Sequence, residues 1–140
     1  MKVKNQVNPS PERLMEFFGS DAGGTFVMVN LLKFKSRAQY PDGTDRGLTG
    51  AQAYAIYGRD VSVLLRKVGG RPIYSGAVTG LLLGEIEENW DMVALAEYPS
   101  LAAFQAMVTS PEYQEMAVHR TAGLAGQLNI RTVPLLPAGD

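Results

Sequence analysis

Two stretches of the sequence, FVMVNLLKF at residues 26–34 and WDMVALAEY at residues 90–98, decide the fold because each is apolar on both faces of a predicted β-strand. Successive side chains of a strand point to opposite faces of a sheet. In the first stretch one face carries Phe26, Met28, Asn30, Leu32 and Phe34, and the other carries Val27, Val29, Leu31 and Lys33. A sheet with one face in water would alternate apolar and polar residues. Both faces therefore need cover, and the sequence predicts that a partner subunit supplies it on one of them.

The composition is that of one soluble globular domain. Of the 140 residues, 46% are hydrophobic and 19% are charged, so the chain is long enough to bury a core. The net charge is −1 without a block of like charges, which argues against nucleic-acid binding. No apolar run approaches the roughly 20 residues of a membrane span, and the N-terminus lacks an apolar signal core. We therefore expect a cytoplasmic protein that binds neither nucleic acid nor membrane.

The counts of cysteine and histidine exclude several kinds of catalytic centre. The chain has no cysteine, which excludes disulfides, thiolate nucleophiles and metal sites built on cysteine. His119 is the only histidine, so a site with several histidine ligands is impossible. The sequence also has no Ser-His-Asp arrangement, no phosphate-binding glycine loop and no metal-ligand spacing. We therefore expect no metal and no organic cofactor.

The predicted elements follow the order strand, helix, strand, strand, helix, strand. Thr49-Gly50-Ala51-Gln52 fits a capping box, which predicts a helix start at this point. The strands are predicted over residues 26–34, 71–85, 90–98 and 126–135, and the helices over 9–18, from 49 to 68, over 101–108 and from 110 onward. This order is that of an α+β, ferredoxin-like βαββαβ fold with an antiparallel sheet and helices on one face. Two copies that stack the free faces of their sheets would form an isologous homodimer, a dimeric α/β barrel.

The chain divides into an N-terminal extension and one folded domain. Residues 1–24 are predicted to form the extension, with a short helix, and residues 25–136 the domain. A polar loop over residues 36–48, with Pro41-Asp42-Gly43 as a turn signal, separates the first strand from the first helix of the domain. Loops of this length are often binding lids, and the alternative is a solvated connector.

Five short stretches resemble an uncharacterised family, the domain of unknown function thirteen-thirty of the dimeric α/β-barrel superfamily. They are NLLKF at 30–34, GGR at 69–71, WD at 90–91, YPS at 98–100 and SPEY at 110–113, followed by Arg120. The resemblance implies a ferredoxin-like protomer and a homodimer. It implies no activity, because the superfamily includes cofactor-free monooxygenases, isomerases, dehydratases and heme enzymes. Residue 33 is lysine where arginine is more usual in the family, so bidentate anion binding would be lost there.

Arg120 is the leading candidate for ligand binding and catalysis. It shares its predicted helix stripe with Tyr113, Met116, Ala117 and Leu124. A guanidinium on an apolar stripe must be paired or must face a polar cavity, where it would bind a carboxylate or enolate oxygen. The alternatives are an ion pair with an acid at the edge of the core, or a side chain whose charged end reaches solvent.

Four further residues are candidates for lining the same pocket. Asn30 interrupts an apolar strand face, where its amide would orient a ligand carbonyl or satisfy a bulged backbone. Tyr54 and Tyr57 lie on a helix stripe, and Trp90 begins a strand. Each of these aromatic side chains offers a hydrogen-bonding group to a ligand, and the alternative is that each is only core.

His119 is the second candidate for a catalytic role. Glu115 precedes it by one helical turn and would hold its ring in one tautomer. Such a pair can act as a general base. The alternative is a half-exposed helix pair without a role.

These residues predict a small-molecule-binding protein with an apolar pocket between the sheet and the helices. As an enzyme it would act on a small acidic or aromatic metabolite by proton transfer or oxygenation. Arg120 would stabilise negative charge, and His119 or a tyrosine would move the proton. One alternative is a non-catalytic ligand-binding or sensor protein. Another is a structural homodimer, in which Arg120 pairs with an acid and the aromatic side chains fill the interior.

Overall fold

A computed structural model describes residues 3–19 and 23–135. The strands are β1 Phe26–Phe34, β2 Arg71–Ala77, β3 Met92–Tyr98 and β4 Leu124–Thr132, and the helices are α1 Pro11–Gly19, α2 Gly50–Lys67, α3 Leu101–Val108 and α4 Pro111–Gly123. The strands form one antiparallel sheet in the order β2-β3-β1-β4. This architecture confirms the predicted α+β, ferredoxin-like fold, with α3 and α4 together in the place of the second helix.

The helix-facing side of the sheet carries the even positions of β1. Phe26, Met28 and Leu32 are all buried there against α2 and the helices that follow β3. Phe17 and Phe18 of α1 pack against the same core, whereas Leu14 of the same helix is 42% exposed. The four helices of the described residues thus cover one face of the sheet.

The other face of the sheet is also apolar. Val29 lies between Leu95 of β3 and Ile130 of β4, because the three residues are register partners. Leu31 has Val93 and Leu128 as its partners in the same way. The described helices pack on the opposite side, so the two-faced apolar pattern of the sequence is present in the folded chain.

Helix α2 begins as predicted. The Thr49 hydroxyl accepts a hydrogen bond from the Gln52 backbone N–H at 3.1 Å, and the Gln52 side chain accepts one from the Thr49 N–H at 2.9 Å. The first turn of α2 also touches the end of α4, where a Cβ on Gly50 would lie 2.7 Å from the Gly123 carbonyl oxygen. Close packing of α2 against α4 therefore depends on glycine at both positions.

Four predicted strand boundaries are wrong. β2 ends at Ala77 rather than at residue 85, β3 begins at Met92 rather than at residue 90, and β4 spans residues 124–132 rather than 126–135. The predicted β2 included Leu81, Leu82 and Leu83, but these residues are 54%, 102% and 88% exposed. The run lies in the connection between β2 and β3, where no neighbouring strand continues to pair with it.

The N-terminal extension contacts the domain directly. Gln6 pairs with Gln127 of β4 in an isolated antiparallel bridge, and Val7 packs near Leu32 and Tyr54. Residues 20–22 and 136, near the ends of the two predicted parts, lie outside the described residues. The division at residues 24 and 25 therefore stays a prediction.

Candidate functional site

A cavity of about 1060 Å³ lies between the helix-facing side of the sheet and the helices. Its apolar wall includes Met28, Phe34, Val61, Met92 and Ala94. Its polar lining includes Asn30, Tyr54, Tyr57, Tyr113, Arg120 and Gln127. This volume reaches the upper end of the range for small-molecule sites, and a few polar groups in an apolar wall are typical of them.

The Arg120 side chain is half-buried in the last turn of α4. Its Nη2 atom donates hydrogen bonds to the Val7 carbonyl oxygen and to Oε1 of Gln127, each at 2.5 Å. Neither acceptor carries a charge. Among the described residues Arg120 forms no ion pair, so the acid that a structural role predicted is not found there.

Gln127 joins Arg120 to Asn30. Its Nε2 donates to Oδ1 of Asn30 at 2.8 Å, and the Asn30 amide donates in turn to the Ala94 carbonyl oxygen at 3.2 Å. Asn30 therefore bonds to a backbone group of the regular β1–β3 pairing rather than to a bulge, and it also lines the cavity. That it orients a ligand carbonyl stays a prediction. The sequence analysis missed Gln127, although its position in the strand, two residues before Asn129, marks a polar helix-facing side of β4.

Tyrosine hydroxyls form a second polar group in the cavity. Tyr54 and Tyr57 are both buried, and the Tyr57 hydroxyl lies 3.0 Å from that of Tyr113. Burial raises the pKa of Tyr54 to about 12, with the nearby Arg120 charge partly opposing the shift. Burial, followed by the proximity of Tyr113, raises the pKa of Tyr57 well above its usual value. These hydroxyls therefore stay protonated near neutral pH and serve as hydrogen-bonding groups rather than as phenolates.

Trp90 does not line the cavity. It borders a much smaller pocket of about 30 Å³, together with Lys33 and Glu88. The Lys33 ammonium lies 3.2 Å from the Glu88 carboxylate and donates to the Asn89 carbonyl oxygen at 2.7 Å. Lys33 and Asn30 lie on opposite faces of β1, as alternation in the strand predicted, so Lys33 and Trp90 are separated from the Arg120 site.

His119 also lies outside the residues that line the cavity. Its Nδ1 atom is 2.7 Å from the hydroxyl of Tyr40, so Tyr40 rather than the expected Glu115 contacts this nitrogen. Burial, and then the charge of Arg46, lowers the pKa of His119 below its usual 6.5. Of the two adjacent residues His119 and Arg120, only Arg120 lines the cavity. The position of His119 therefore does not support the expected proton transfer.

The loop before α2 is anchored to the domain rather than fully solvated. Tyr40 is buried with Ala38 against Ala53 of α2 and Ala122 of α4. The Arg46 guanidinium lies 3.8 Å from the centre of the Tyr40 ring, in a cation–π arrangement. These contacts hold one side of the loop on the helices.

Charged groups in the cavity lining are few and positive. Within the described residues, no aspartate, glutamate or histidine lines the cavity, and no cluster of such residues is suited to hold a metal ion. Arg59 lines it as well, but its guanidinium is largely exposed and lies 3.4 Å from the carboxylate of Asp60. The arrangement can hold an anionic or hydrogen-bonding ligand. Over residues 3–19 and 23–135, no helix has the length and apolarity to cross a membrane.

Comparisons with known proteins agree with the fold. A family model described as Domain of unknown function (DUF1330) matches residues 45–132. The crystal structure of RPA0582, a protein of unknown function from Rhodopseudomonas palustris, is 40% identical, with a TM-score of 0.85 over 96% of this chain and 100% of that one. The methylated form of RPA0582 superposes with a TM-score of 0.87. No curated protein matches the chain.

Two more distant structures share the fold alone. One is a ferredoxin-like protein of the dabb family from Mesorhizobium loti, at 13% identity and a TM-score of 0.52 over 80% of this chain and 98% of that one. The other is SnoaB, a cofactor-independent oxygenase from Streptomyces nogalater, at 10% identity and a TM-score of 0.54 over 84% of this chain and 100% of that one.

Proposed function

The chain belongs to the family described as Domain of unknown function (DUF1330), and from this starting point we propose that it binds a small acidic or aromatic metabolite in the cavity between sheet and helices. The observation that carries the proposal is the guanidinium of Arg120, which lines the cavity and, within the part of the chain that the structure describes, contacts only neutral acceptors. A half-buried charge without a counter-ion favours an anion that supplies one. Carboxylate and enolate oxygens are suitable partners, since charge-assisted hydrogen bonds to arginine are stronger than neutral ones.

The aromatic lining supports a ligand with a ring. Tyr54, Tyr57 and Tyr113 offer ring faces and edges as well as hydroxyls. Protonated hydroxyls can donate to a phenol or carbonyl oxygen of the ligand, and the apolar wall can cover its ring. In this proposal Arg120 binds the acidic end of the ligand, Asn30 belongs to the polar lining near it, and the tyrosines contact its other end.

Cofactor-independent oxygenation is a second candidate function. The fold is shared with SnoaB, which is described as a cofactor-independent oxygenase. Arg120 and the neutral tyrosine hydroxyls could stabilise an enolate or phenolate of the substrate. Without a histidine or carboxylate in the described lining, the substrate would have to enter as an anion or lose its proton to water. The cavity favours binding without chemistry, as in a sensor protein, over proton transfer by His119.

We also propose that the protein is a cytoplasmic homodimer that binds neither nucleic acid nor membrane. The apolar face of the sheet around Val29, Leu95 and Ile130 supports the dimer, because the four described helices pack on the opposite face. The alternative of a purely structural dimer is weakened, because it required an acid beside Arg120 and a filled interior.

A thermal-shift screen with small carboxylates and phenols tests the binding proposal. The parent is compared with Arg120→Ala and with Arg66→Ala, a control that removes an exposed arginine from α2 outside the cavity lining. A compound at roughly a hundred times its Kd should stabilise the parent and the control by about 2.7 kcal/mol. It should stabilise Arg120→Ala much less. A screen in which no compound shifts the parent, or in which Arg120→Ala responds as the parent does, would count against the proposal.

Compounds that bind then distinguish the two candidate functions. Oxygen uptake by the parent with the bound compound, measured with an electrode and followed by mass analysis of the product, would support oxygenation. Binding without oxygen uptake or any change in the compound would support a sensor or carrier.

A further inference from the structure

We propose that Gln127 determines the charge preference of the cavity, so that it accepts a ligand with a single negative charge at Arg120. This inference rests on the proposed ligand-binding function and specifies the ligand. Gln127 is therefore a specificity-determining residue that acts through Arg120, rather than a catalytic one.

Both hydrogen-bond acceptors of the Arg120 guanidinium among the described residues are neutral. Gln127 Oε1 accepts from the guanidinium at the place where a glutamate would form an ion pair, but it carries no charge. The other acceptor, the Val7 carbonyl oxygen, is neutral as well. The guanidinium is thus held in position without being neutralised, and its full charge remains available to a ligand.

The orientation of the Gln127 amide is determined by its second contact. Its nitrogen donates to Oδ1 of Asn30, whose own nitrogen donates to the Ala94 carbonyl oxygen. The Ala94 carbonyl oxygen can only accept, so the Asn30 nitrogen faces it and Asn30 Oδ1 faces Gln127. The Gln127 nitrogen therefore faces Asn30, and its oxygen faces Arg120. The three polar side chains thus form one network in which the only net charge is that of Arg120.

One guanidinium matches one negative charge. Burial raises the pKa values of Tyr54 and Tyr57, so both hydroxyls are neutral, and Arg59 of the lining lies near Asp60 at the surface. A dianion would leave one charge unpaired in a mainly apolar cavity, which is costly. A neutral ligand would leave the Arg120 charge unpaired. We therefore expect monoanions to bind best.

Two fluorescent probes that differ by one charged group test this inference. They are 1-anilinonaphthalene-8-sulfonate, a monoanion, and N-phenyl-1-naphthylamine, which has the same rings without the sulfonate. The parent should bind the sulfonate more tightly by at least about tenfold, which corresponds to about 1.4 kcal/mol. In Gln127→Glu the new carboxylate pairs with Arg120, so the preference for the sulfonate should disappear while the neutral probe keeps its affinity.

Gln127→Met is the matched control. It removes the hydrogen bonds of the amide but adds no charge, so the preference for the sulfonate should persist. Ala117 lines the cavity, so the added ring of Ala117→Phe should fill part of it. Probe fluorescence that this variant still shows is attributed to binding elsewhere and is subtracted. Circular dichroism and a thermal unfolding curve of each variant verify that it is folded.

The outcomes separate this inference from the proposed function. If neither probe binds the parent, the ligand-binding proposal fails and the inference fails with it. If both probes bind but Gln127→Glu keeps the preference of the parent, or Gln127→Met loses it equally, the role of Gln127 is overturned while ligand binding stands. Should Gln127→Glu fail to fold, Arg120→Gln removes the positive charge that the new carboxylate would have neutralised, and an unchanged preference in that variant would overturn the inference.

Discussion

The Tyr40 hydroxyl lies 2.7 Å from Nδ1 of His119, and this contact joins the loop before α2 to the helix that carries Arg120. The Tyr40 ring is buried between the two helices, against Ala53 and Ala122. Because His119 and Arg120 are adjacent in α4, the loop contact and the cavity contact lie on neighbouring side chains. The only histidine of the chain thus has a structural partner in the folded protein, which accounts for its position outside the cavity.

Loss of the Tyr40 hydroxyl should loosen the loop. We expect Tyr40→Phe to reduce the free energy of unfolding by about 0.5–1.5 kcal/mol, the usual net value of one hydrogen bond. Amide hydrogen exchange should accelerate in residues 38–48 without a comparable change in the sheet. Tyr74→Phe, which alters an exposed tyrosine, is the control and should change stability by less than about 0.5 kcal/mol. Equal exchange in Tyr40→Phe and the parent would contradict the anchoring role.

His119 should make stability depend on pH. Burial lowers its pKa in the folded protein below 6.5, so the unfolded chain binds a proton more readily between the two values. The stabilising contribution of neutral His119 is therefore present above pH 6.5 and is lost as the pH falls through its folded pKa. Urea unfolding on either side of this range should show a smaller loss of stability in acid for His119→Asn than for the parent. Identical pH dependence of stability in the two proteins would contradict the role given to His119.

Glycine at the contact of α2 and α4 is required by space. A Cβ on Gly50 would lie 2.1 Å from the Lys35 carbonyl oxygen, so Gly50→Ala should cost about 1–3 kcal/mol of stability. Gly58 lies in the same helix, and apart from the backbone of its own helical turns no atom lies within 4 Å of an added Cβ. Gly58→Ala should instead stabilise the protein by up to about 1 kcal/mol, because alanine is the better helix former. Chemical unfolding of both variants measures the contrast, and a harmless Gly50→Ala would show that the backbone contact is not tight.

The apolar face of the sheet should hold two copies together. Light scattering at micromolar concentration should give twice the mass of the chain for the parent. Leu95→Lys places a charge in the centre of this face and should give the mass of one chain, because a charge buried without a partner is costly. Val63→Lys alters an exposed position on α2 and should leave the mass unchanged. A parent that is monodisperse as a single chain would contradict the proposed dimer.

The sequence predicted most of the fold because the signals that start and end its elements are local. The capping box at Thr49 and the apolar pattern of β1 each depend on residues a few positions apart. Where a local signal had no tertiary partner, the prediction was wrong. The run at residues 81–83 has the apolarity of a strand, but no neighbouring strand extends far enough to pair with it.

The sequence alone determined the fold class, the apolar character of both sheet faces and the helix that carries Arg120. Only the tertiary structure decided which polar groups meet. Gln127 and Asn30 are 97 residues apart in the chain, and the pairing of β4 with β1 brings them within 2.8 Å. The tertiary structure also brings His119 into hydrogen-bond contact with Tyr40, 79 residues away, and separates Trp90 from the cavity. Periodicity determines the face on which a side chain lies, but the register between distant strands and helices determines its partners.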